Sequence, residues 1–538
     1  MTEPPIVVDN REELIFLLTE ASELEHMLML EYLFAALSLK TDTSEGLTEE
    51  QLEAVRRWER VISEVAAQEM LHLASASNLL TAIGGAPHFG RPNFPQPAKY
   101  YPPGFEMALA PFSEQALGQF VFYERPEGME YEAPELELAR EAMLPLDTNA
   151  IVPQQQEFAT VGHLYRGIER GFERLVERYG ERRVFVGPPE TQATGRYFRW
   201  PELVQVTDLA SARAAIETIV EQGEGARGDR HDAHFGMFLR VLVEYLEFKE
   251  RDPDFEPARP VAAAWVRQPT DVGSNEFTPI TDPTTAGVAD LFNAAYELML
   301  QMLVRFFAHT EETEEELHTL SGTAVGMMFL LIKPLGKLLT TMPVGEGSPG
   351  KTAGPNFEFY RTGYLLPHRH AAWVLMHERL LELSDYCARL IARPSAPAQL
   401  NQISENLRRL AGELEPHIDT QETSNGADAT ASPFIAVIQE SELRGGAMRV
   451  ADVNGTPVLL SRSESGEVCA ISNICTHVGG PLDEGGREGN VVTCPWHGSR
   501  FDLCSGAVLQ GPAREPQQRF EVRVRDGKVE VRPAAPSQ

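Results

Sequence analysis

Cys475-Thr476-His477 and, sixteen residues further on, Cys494-Pro495-Trp496-His497 decide how the C-terminal end of this chain folds. Each box pairs one thiol with one imidazole. Gly479, Gly480 and Pro481 follow the first box and Gly498 follows the second. Such residues supply the tight turns that two loops need if both are to present their donors to one point. Two sulfurs and two nitrogens suit a structural zinc ion. They equally suit an iron–sulfur cluster in which two thiolates hold one iron and two imidazoles the other. The spacing alone leaves both open.

The surrounding sequence goes further. From Phe434 to Pro533 the chain resembles a complete Rieske domain of the ferredoxin type, most closely in "NICTHVGGPLDEG" and "VVTCPWHGSRFDLCSGAVLQGPA". The resemblance implies a small all-β domain whose [2Fe-2S] cluster is bound by Cys475, His477, Cys494 and His497. Quinol-oxidising Rieske proteins carry an extra cysteine in each loop; Gly480 and Trp496 stand at those places here, which points to the oxygenase and ferredoxin branch. Such a cluster moves single electrons and performs no substrate chemistry, so the rest of the chain must say what it serves.

The 538 residues are 43% hydrophobic and 23% charged, which fits several soluble domains with real cores. The formal net charge of −32 argues against nucleic acid or an anionic membrane as partner, since both require clustered Lys and Arg. No uninterrupted apolar run approaches the ~20 residues of a membrane helix. Met1-Thr2-Glu3-Pro4-Pro5 lacks the basic and apolar regions of a signal peptide, so a cytoplasmic location is expected. Five cysteines are too few for a disulfide framework, and Cys387, Cys469 and Cys504 are expected to be reduced packing residues.

Ahead of the C-terminal boxes, helical periodicity dominates. Residues 11–39 place Leu14, Leu18, Ala21, Leu28, Met29, Tyr32 and Ala36 on one stripe, with Glu25 inside it. Residues 51–83 repeat the pattern and carry Glu69 and His72, spaced Glu-x-x-His, until Gly84-Gly85 stops the helix. A carboxylate on an inward face is costly unless paired or bound to metal. A Glu on one helix with Glu-x-x-His on the next is half of a ferritin-like two-metal site; a buried salt bridge is the plainer alternative. Residues 86–154 are rich in Pro, Gly and aromatics, including Phe94, Tyr100, Tyr101, Phe105, Phe112 and Phe120, and read as a covering loop with a short helix near 113–124. A third stripe, 158–179, has Glu169 at the edge of its inward face and His163 in its first turn. A fourth follows the Glu221-Gln222-Gly223-Glu224-Gly225 turn and opens with His231 and His234. No second Glu-x-x-His is present; His234 with Glu224 could replace it.

"ELEHMLMLEYLFAALSLK", "VAAQEMLHLASASNLLTAIGGAPH", "APFSEQALGQFVFYERPE", "TVGHLYRGIERG" and "IVEQGEGARGDRHDAHFGMF" resemble the ferritin-like domain of the iminophenylpyruvate dimer synthases, violacein-pathway type enzymes that couple indole-derived imines oxidatively. The resemblance covers about residues 11–250 and continues to about 392. It favours Glu25, Glu69, His72, Glu224 and His234 as metal-site residues. Glu169 rests on its place on the helix, and the third helix's ligand stays open between it and His163. Whether Glu221 or His231 contributes also stays open.

Further helices span 286–342, 367–392 and 394–415. The Gly345–Thr352 stretch has phosphate-loop spacing, but a helix rather than a strand precedes it, so the match is accidental. Asp419–Ser432 is small and polar, a flexible tether reaching about 20 Å. The expected order is a mostly α ferritin-like bundle at 1–255, an additional helical region packing on it at 256–418, a linker at 419–432 and the all-β Rieske domain at 433–538.

Together these parts imply an oxygen-dependent non-haem diiron oxidoreductase of secondary metabolism, acting on an aromatic amine, imine or indole-type small molecule with electrons relayed by its own cluster. An external NAD(P)H-dependent reductase or ferredoxin would recharge that cluster, because no Gly-x-Gly-x-x-Gly fingerprint follows a strand. A homo-oligomer is compatible. The alternatives are oxidative imine coupling without oxygen insertion, and a redox sensor whose bundle is scaffold.

Overall fold

The computed structural model describes residues 5–97, 106–127, 160–223, 231–266, 278–360, 368–418, 434–453, 456–463 and 465–534, with a few single positions between them. Glu224, Tyr100, Tyr101, Phe105 and the 419–432 tether lie outside the described residues. The chain divides into two compact units, Met1–Gly195 with Pro201–His309 and Leu335–Tyr364, and Arg196–Trp200 with Thr310–Pro334 and Leu365–Gln538.

The first unit is built on helices α1 (Arg11–Ser38) and α2 (Glu49–Ala82). Asn10 caps α1 by accepting from the Glu13 amide at 3.0 Å. Thr48 and Gln51 cap α2 reciprocally, satisfying amides that a helix start leaves unpaired. Helices α3 (Glu114–Tyr123), α4 (Val161–Tyr179), α5 (Leu209–Gly223) and α6 (His234–Arg251) pack around them. A further long helix, α7 (Pro283–Phe307), belongs to the same unit. Glycine sets the fit of α4 against the N-terminal segment. A Cβ on Gly167 would meet Ile6 at 2.6 Å and one on Gly171 would meet Val8 at 2.9 Å. Phe94, Phe112 and Phe120 are buried, as a covering segment requires.

The second unit joins helical and β parts. Its described residues hold α8 (Glu314–Met327), α9 (Arg369–Ile391), α10 (Leu400–Leu414) and ten strands: β1 (Ile435–Gln439), β2 (Met448–Val453), β3 (Thr456–Arg462), β4 (Val468–Ser472), β5 (Gly486–Glu488), β6 (Val491–Thr493), β7 (Arg500–Asp502), β8 (Val508–Gln510), β9 (Phe520–Arg525) and β10 (Lys528–Pro533). The antiparallel sheets run β2-β3-β4, β9-β10-β1 and β8-β7-β6-β5. The first two enclose a core with Val458, Leu460, Val529 and Val531. A second core, with Leu459, Phe501, Cys475 and Cys494, lies beneath the two boxes. Asp526 and Gly527 both take positive φ, as the two-residue turn of the β9–β10 hairpin requires.

Two expectations change. The 256–418 stretch does not stay together: residues 310–334 and 365–418 fold with the β domain rather than with the bundle. Arg409 of α10, for example, reaches the buried Asp452 of β2 at 3.2 Å. Cys469 and Cys504 are not reduced; they form a disulfide that ties β4 to the turn after β7. Cys387 is free and buried. The helical run Glu314–Leu339 is long and apolar enough to cross a membrane by composition, but 61% of its apolar window is buried inside the fold, as in a core helix.

Candidate metal centre

Glu25 lies midway along α1 inside a continuous buried face, and Glu69 and His72 lie one turn apart on α2. Glu124 ends α3 as its C-cap residue. His234 is the first residue of α6, and its predecessor Ala233 offers no side chain to cap the helix. These five residues converge in the interior of the first unit, none more than 4% exposed. Their donor atoms form two triads, Glu25–Glu69–His72 and Glu69–Glu124–His234, each with its atoms within 4.8 Å of one another.

Glu69 belongs to both triads and divides its oxygens between them. Its Oε2 lies 3.0 Å from His72 Nδ1, which is also 3.5 Å from Glu25 Oε2. Its Oε1 lies 3.0 Å from His234 Nδ1, which is also 3.4 Å from Glu124 Oε2. The two imidazoles stack with centroids 5.4 Å apart. On their far sides, His72 Nε2 meets Gln222 Oε1 at 2.9 Å and His234 Nε2 meets Gln68 Oε1 at 2.7 Å. Tyr32 donates to Glu124 Oε1 at 2.5 Å.

Three carboxylates and two imidazoles at this depth perturb one another strongly. Burial and the charge of Glu69 push Glu25 up to about 8. Burial and the same charge raise Glu124. Burial works against the Glu69 carboxylate, but His72 and His234 outweigh it and hold Glu69 well below the usual carboxylate range. Burial likewise lowers both histidines, yet the carboxylates prevail, taking His234 up to about 9 and His72 well above its ordinary value. Burial and the charge of Glu25 raise the Tyr165 phenol, which is what α4 brings to this site. Among the described residues Glu25 Oε1 is buried without a hydrogen-bond partner, and His234 Nδ1 faces the Glu69 and Glu124 carboxylates without a well-directed hydrogen bond to either. A dry cluster of acids and imidazoles with such orphaned atoms fits a pair of cations, each with oxygen and nitrogen donors and a shared carboxylate.

Of the residues expected from sequence, Glu25, Glu69, His72 and His234 come together. Glu169 does not: it pairs with Arg166 at 3.0 Å, at the edge of α4. His163 is buried in the first turn of α4, outside both triads. His231 pairs with its neighbour Asp232 on the surface, and Glu221 is exposed. Glu124 takes a place that sequence reasoning missed. Leu117, Phe120 and Glu124 follow one another at helical spacing, so the rule that singled out Glu25 applies here too.

The two boxes of the second unit also converge. Gly479 and Gly498 take φ of +83° and +73° and turn the loops back on themselves. The Gly479 and Gly498 amides donate to the carbonyls of Cys475 and Cys494 at 2.9 and 3.1 Å. The Cys475 and Cys494 thiols are buried. A hydrogen bond from the Cys494 thiol brings Cys475 down to about 7, which favours its thiolate. His477 Nδ1 and His497 Nδ1 face each other at 3.2 Å. Two buried sulfurs and two opposed Nδ1 atoms fit a cluster with sulfur ligands on one side and nitrogen ligands on the other. Residues 434–521 match the Rieske [2Fe-2S] domain family, and residues 18–243 match the ferritin-like family. The chain thus carries a ferritin-like domain and a C-terminal Rieske domain.

Dichlorochromopyrrolate synthase of Lentzea aerocolonigenes is 28% identical over 70% of this chain and 39% of its own length. The 2-imino-3-(indol-3-yl)propanoate dimerase of Chromobacterium violaceum is 28% identical over 65% of this chain and 34% of its own. Ferredoxin CarAc of Metapseudomonas resinovorans is 32% identical over 18% of this chain and 92% of its own, within the Rieske part. The chain thus spans well under half of the two larger relatives.

Proposed function

We propose that this chain is a non-haem diiron oxidoreductase that acts on an aromatic amine, imine or indole-type small molecule, uses dioxygen, and exchanges electrons with the bundle centre through its own Rieske cluster. The observation that carries this reading is the bridging position of Glu69 between two buried triads, on a chain that also holds a one-electron carrier. When bound, the iron pair supplies dioxygen and redox chemistry, and the cluster supplies single electrons.

The chain's own residues set the conditions. Glu25 and His72 would hold one iron and Glu124 and His234 the other, with one oxygen of Glu69 for each. Burial keeps water from the centre and strengthens every charge interaction within it. Tyr32 fixes the rotamer of Glu124 through its hydroxyl. Cys475 and Cys494 would hold one cluster iron, and His477 and His497 the other. His497 is exposed, so the imidazole edge of the cluster is open to a donor or acceptor. Glu224, also expected as a ligand, lies outside the described residues, and Glu169 pairs with Arg166 instead. The external donor is a NAD(P)H-linked reductase or a ferredoxin, and the location proposed is the cytoplasm.

A second reading is oxidative coupling of two imines, with electrons leaving the substrate and no oxygen inserted; the similarity to a 2-imino-3-(indol-3-yl)propanoate dimerase supports it. Metal analysis with turnover under labelled dioxygen tests both. About four irons per chain, two of them in the cluster, and label in the product support the oxygenase. The same iron count with unlabelled, coupled product supports coupling. About two irons per chain and no turnover of any aromatic amine would sink both and leave a redox sensor.

A further inference from the structure

We propose that Gln68 and Gln222 are positioning residues that hold the two imidazoles of the bundle centre, each serving one half of it. Both histidines turn Nδ1 towards carboxylates, so a cation among those carboxylates takes the Nδ1 lone pair. The remaining proton then sits on Nε2. In each ring that N–H donates to an amide oxygen, Gln222 for His72 at 2.9 Å and Gln68 for His234 at 2.7 Å. The bonds cross between elements. The histidine of α2 is held from the last turn of α5, and the histidine that opens α6 is held from α2. His234 needs this support most, because it stands at a helix start without a side-chain cap.

The choice of amide has its own consequence. An amide accepts the Nε2 proton's hydrogen bond without competing for the proton. A carboxylate in the same place would add a fourth negative charge to Glu25, Glu69 and Glu124 and draw the imidazole towards imidazolate. Glutamine fixes ring orientation and tautomer while leaving both imidazoles neutral. The inference rests on reading the triads as a metal centre and adds that its two halves are braced separately.

The test uses the full-length chain with its Rieske cluster in place. Anaerobic titration with Fe(II), followed by calorimetry and by Mössbauer spectra of added ⁵⁷Fe, compares Gln68→Leu and Gln222→Leu with wild type. Glu25→Gln and Glu124→Gln mark which binding step belongs to which half. Losing such a partner is expected to weaken metal binding by ~10–100-fold. Gln222→Leu should weaken the step that Glu25→Gln affects, and Gln68→Leu the step that Glu124→Gln affects. Gln68→Glu and Gln222→Glu, which keep the acceptor, should restore affinity but shift the Mössbauer parameters. Two Fe(II) bound with wild-type affinity by a Leu variant whose circular dichroism and Rieske electron paramagnetic resonance are unchanged would overturn the inference alone. A wild-type chain that takes up no Fe(II) beyond its cluster would overturn the metal-centre reading with it.

Discussion

In the bundle, five donors from residues as far apart as Glu25 and His234 meet where none is more than 4% exposed. In the Rieske domain, four donors come from two short loops, His477 and His497 lie 20 residues apart, and His497 faces solvent. The buried centre depends on helix packing to bring its groups together, and on mutual charge compensation to keep them there. The loop centre depends on local backbone geometry, chiefly glycines at positive φ. The contrast suits the proposed division of labour: a dry interior for chemistry, an accessible edge for electron exchange. It also predicts that the two sites fail independently.

The largest effect should come from Glu69, the residue the two triads share. Glu69→Gln keeps the shape but removes the charge that both imidazoles face. Loss of an outer partner costs ~10–100-fold in metal affinity, so loss of a shared donor should cost more than ~100-fold at both positions. Iron analysis should then find only the cluster's iron, and the Rieske spectrum should be unchanged. Retention of bundle iron would break the bridging assignment. The complementary change, His477→Cys, should leave bundle iron in place. It should move the cluster's absorption and lower its potential by on the order of a few hundred mV, towards plant-type ferredoxins. Loss of bundle iron in that variant would show that the two regions are not independent.

The same contrast explains what the sequence could tell. The Rieske boxes were legible because all four donors and their turns lie close together in the chain. Glu25, Glu69 and His72 were legible because each interrupts an apolar stripe. Glu124 obeys the same rule but sits at the last position of a helix taken for a cover. Glu169 shows the limit of the rule: it lies at the edge of a face, and Arg166 one turn earlier takes it into a partly buried ion pair. His234 could be proposed but not placed, since a helix start carries no periodicity of its own. The apolar faces of residues 310–334 and 365–418 announced that they bury something, but not that these segments group with the β domain rather than with the bundle. The pairing of Cys469 with Cys504 across 35 residues was beyond reach for the same reason, because it is set by strand packing rather than by local sequence.

That disulfide gives the next prediction. Closing a loop of this length stabilises by about 3–4 kcal/mol in the chain-entropy account. The double change Cys469→Ser with Cys504→Ser should therefore lower the melting temperature of the Rieske domain while leaving cluster ligands and bundle iron alone. Calorimetry with the cluster's absorption as a second probe checks this. A loss of the cluster at full thermal stability would mean that the pair serves the cluster rather than the fold.

Gly480→Ala is the most local test. A Cβ there would stand 2.9 Å from Cys494 Sγ and 3.0 Å from Trp496 Cδ2. Cys494 is pinned at both ends of its turn, its amide donating to Ser499 at 2.7 Å and its carbonyl accepting from Gly498 at 3.1 Å. The sulfur therefore has little room to retreat, and the half-buried Trp496 ring is the group that can move. Overpacking of this kind costs about 1–3 kcal/mol. The expected result is an assembled cluster with a small spectral shift, a modest loss of Rieske-domain stability and a tryptophan fluorescence change from Trp496. Bundle iron should not respond at all. If the cluster fails to assemble, the sulfur and not the indole has given way, and the loop is stiffer than its exposed histidine suggests.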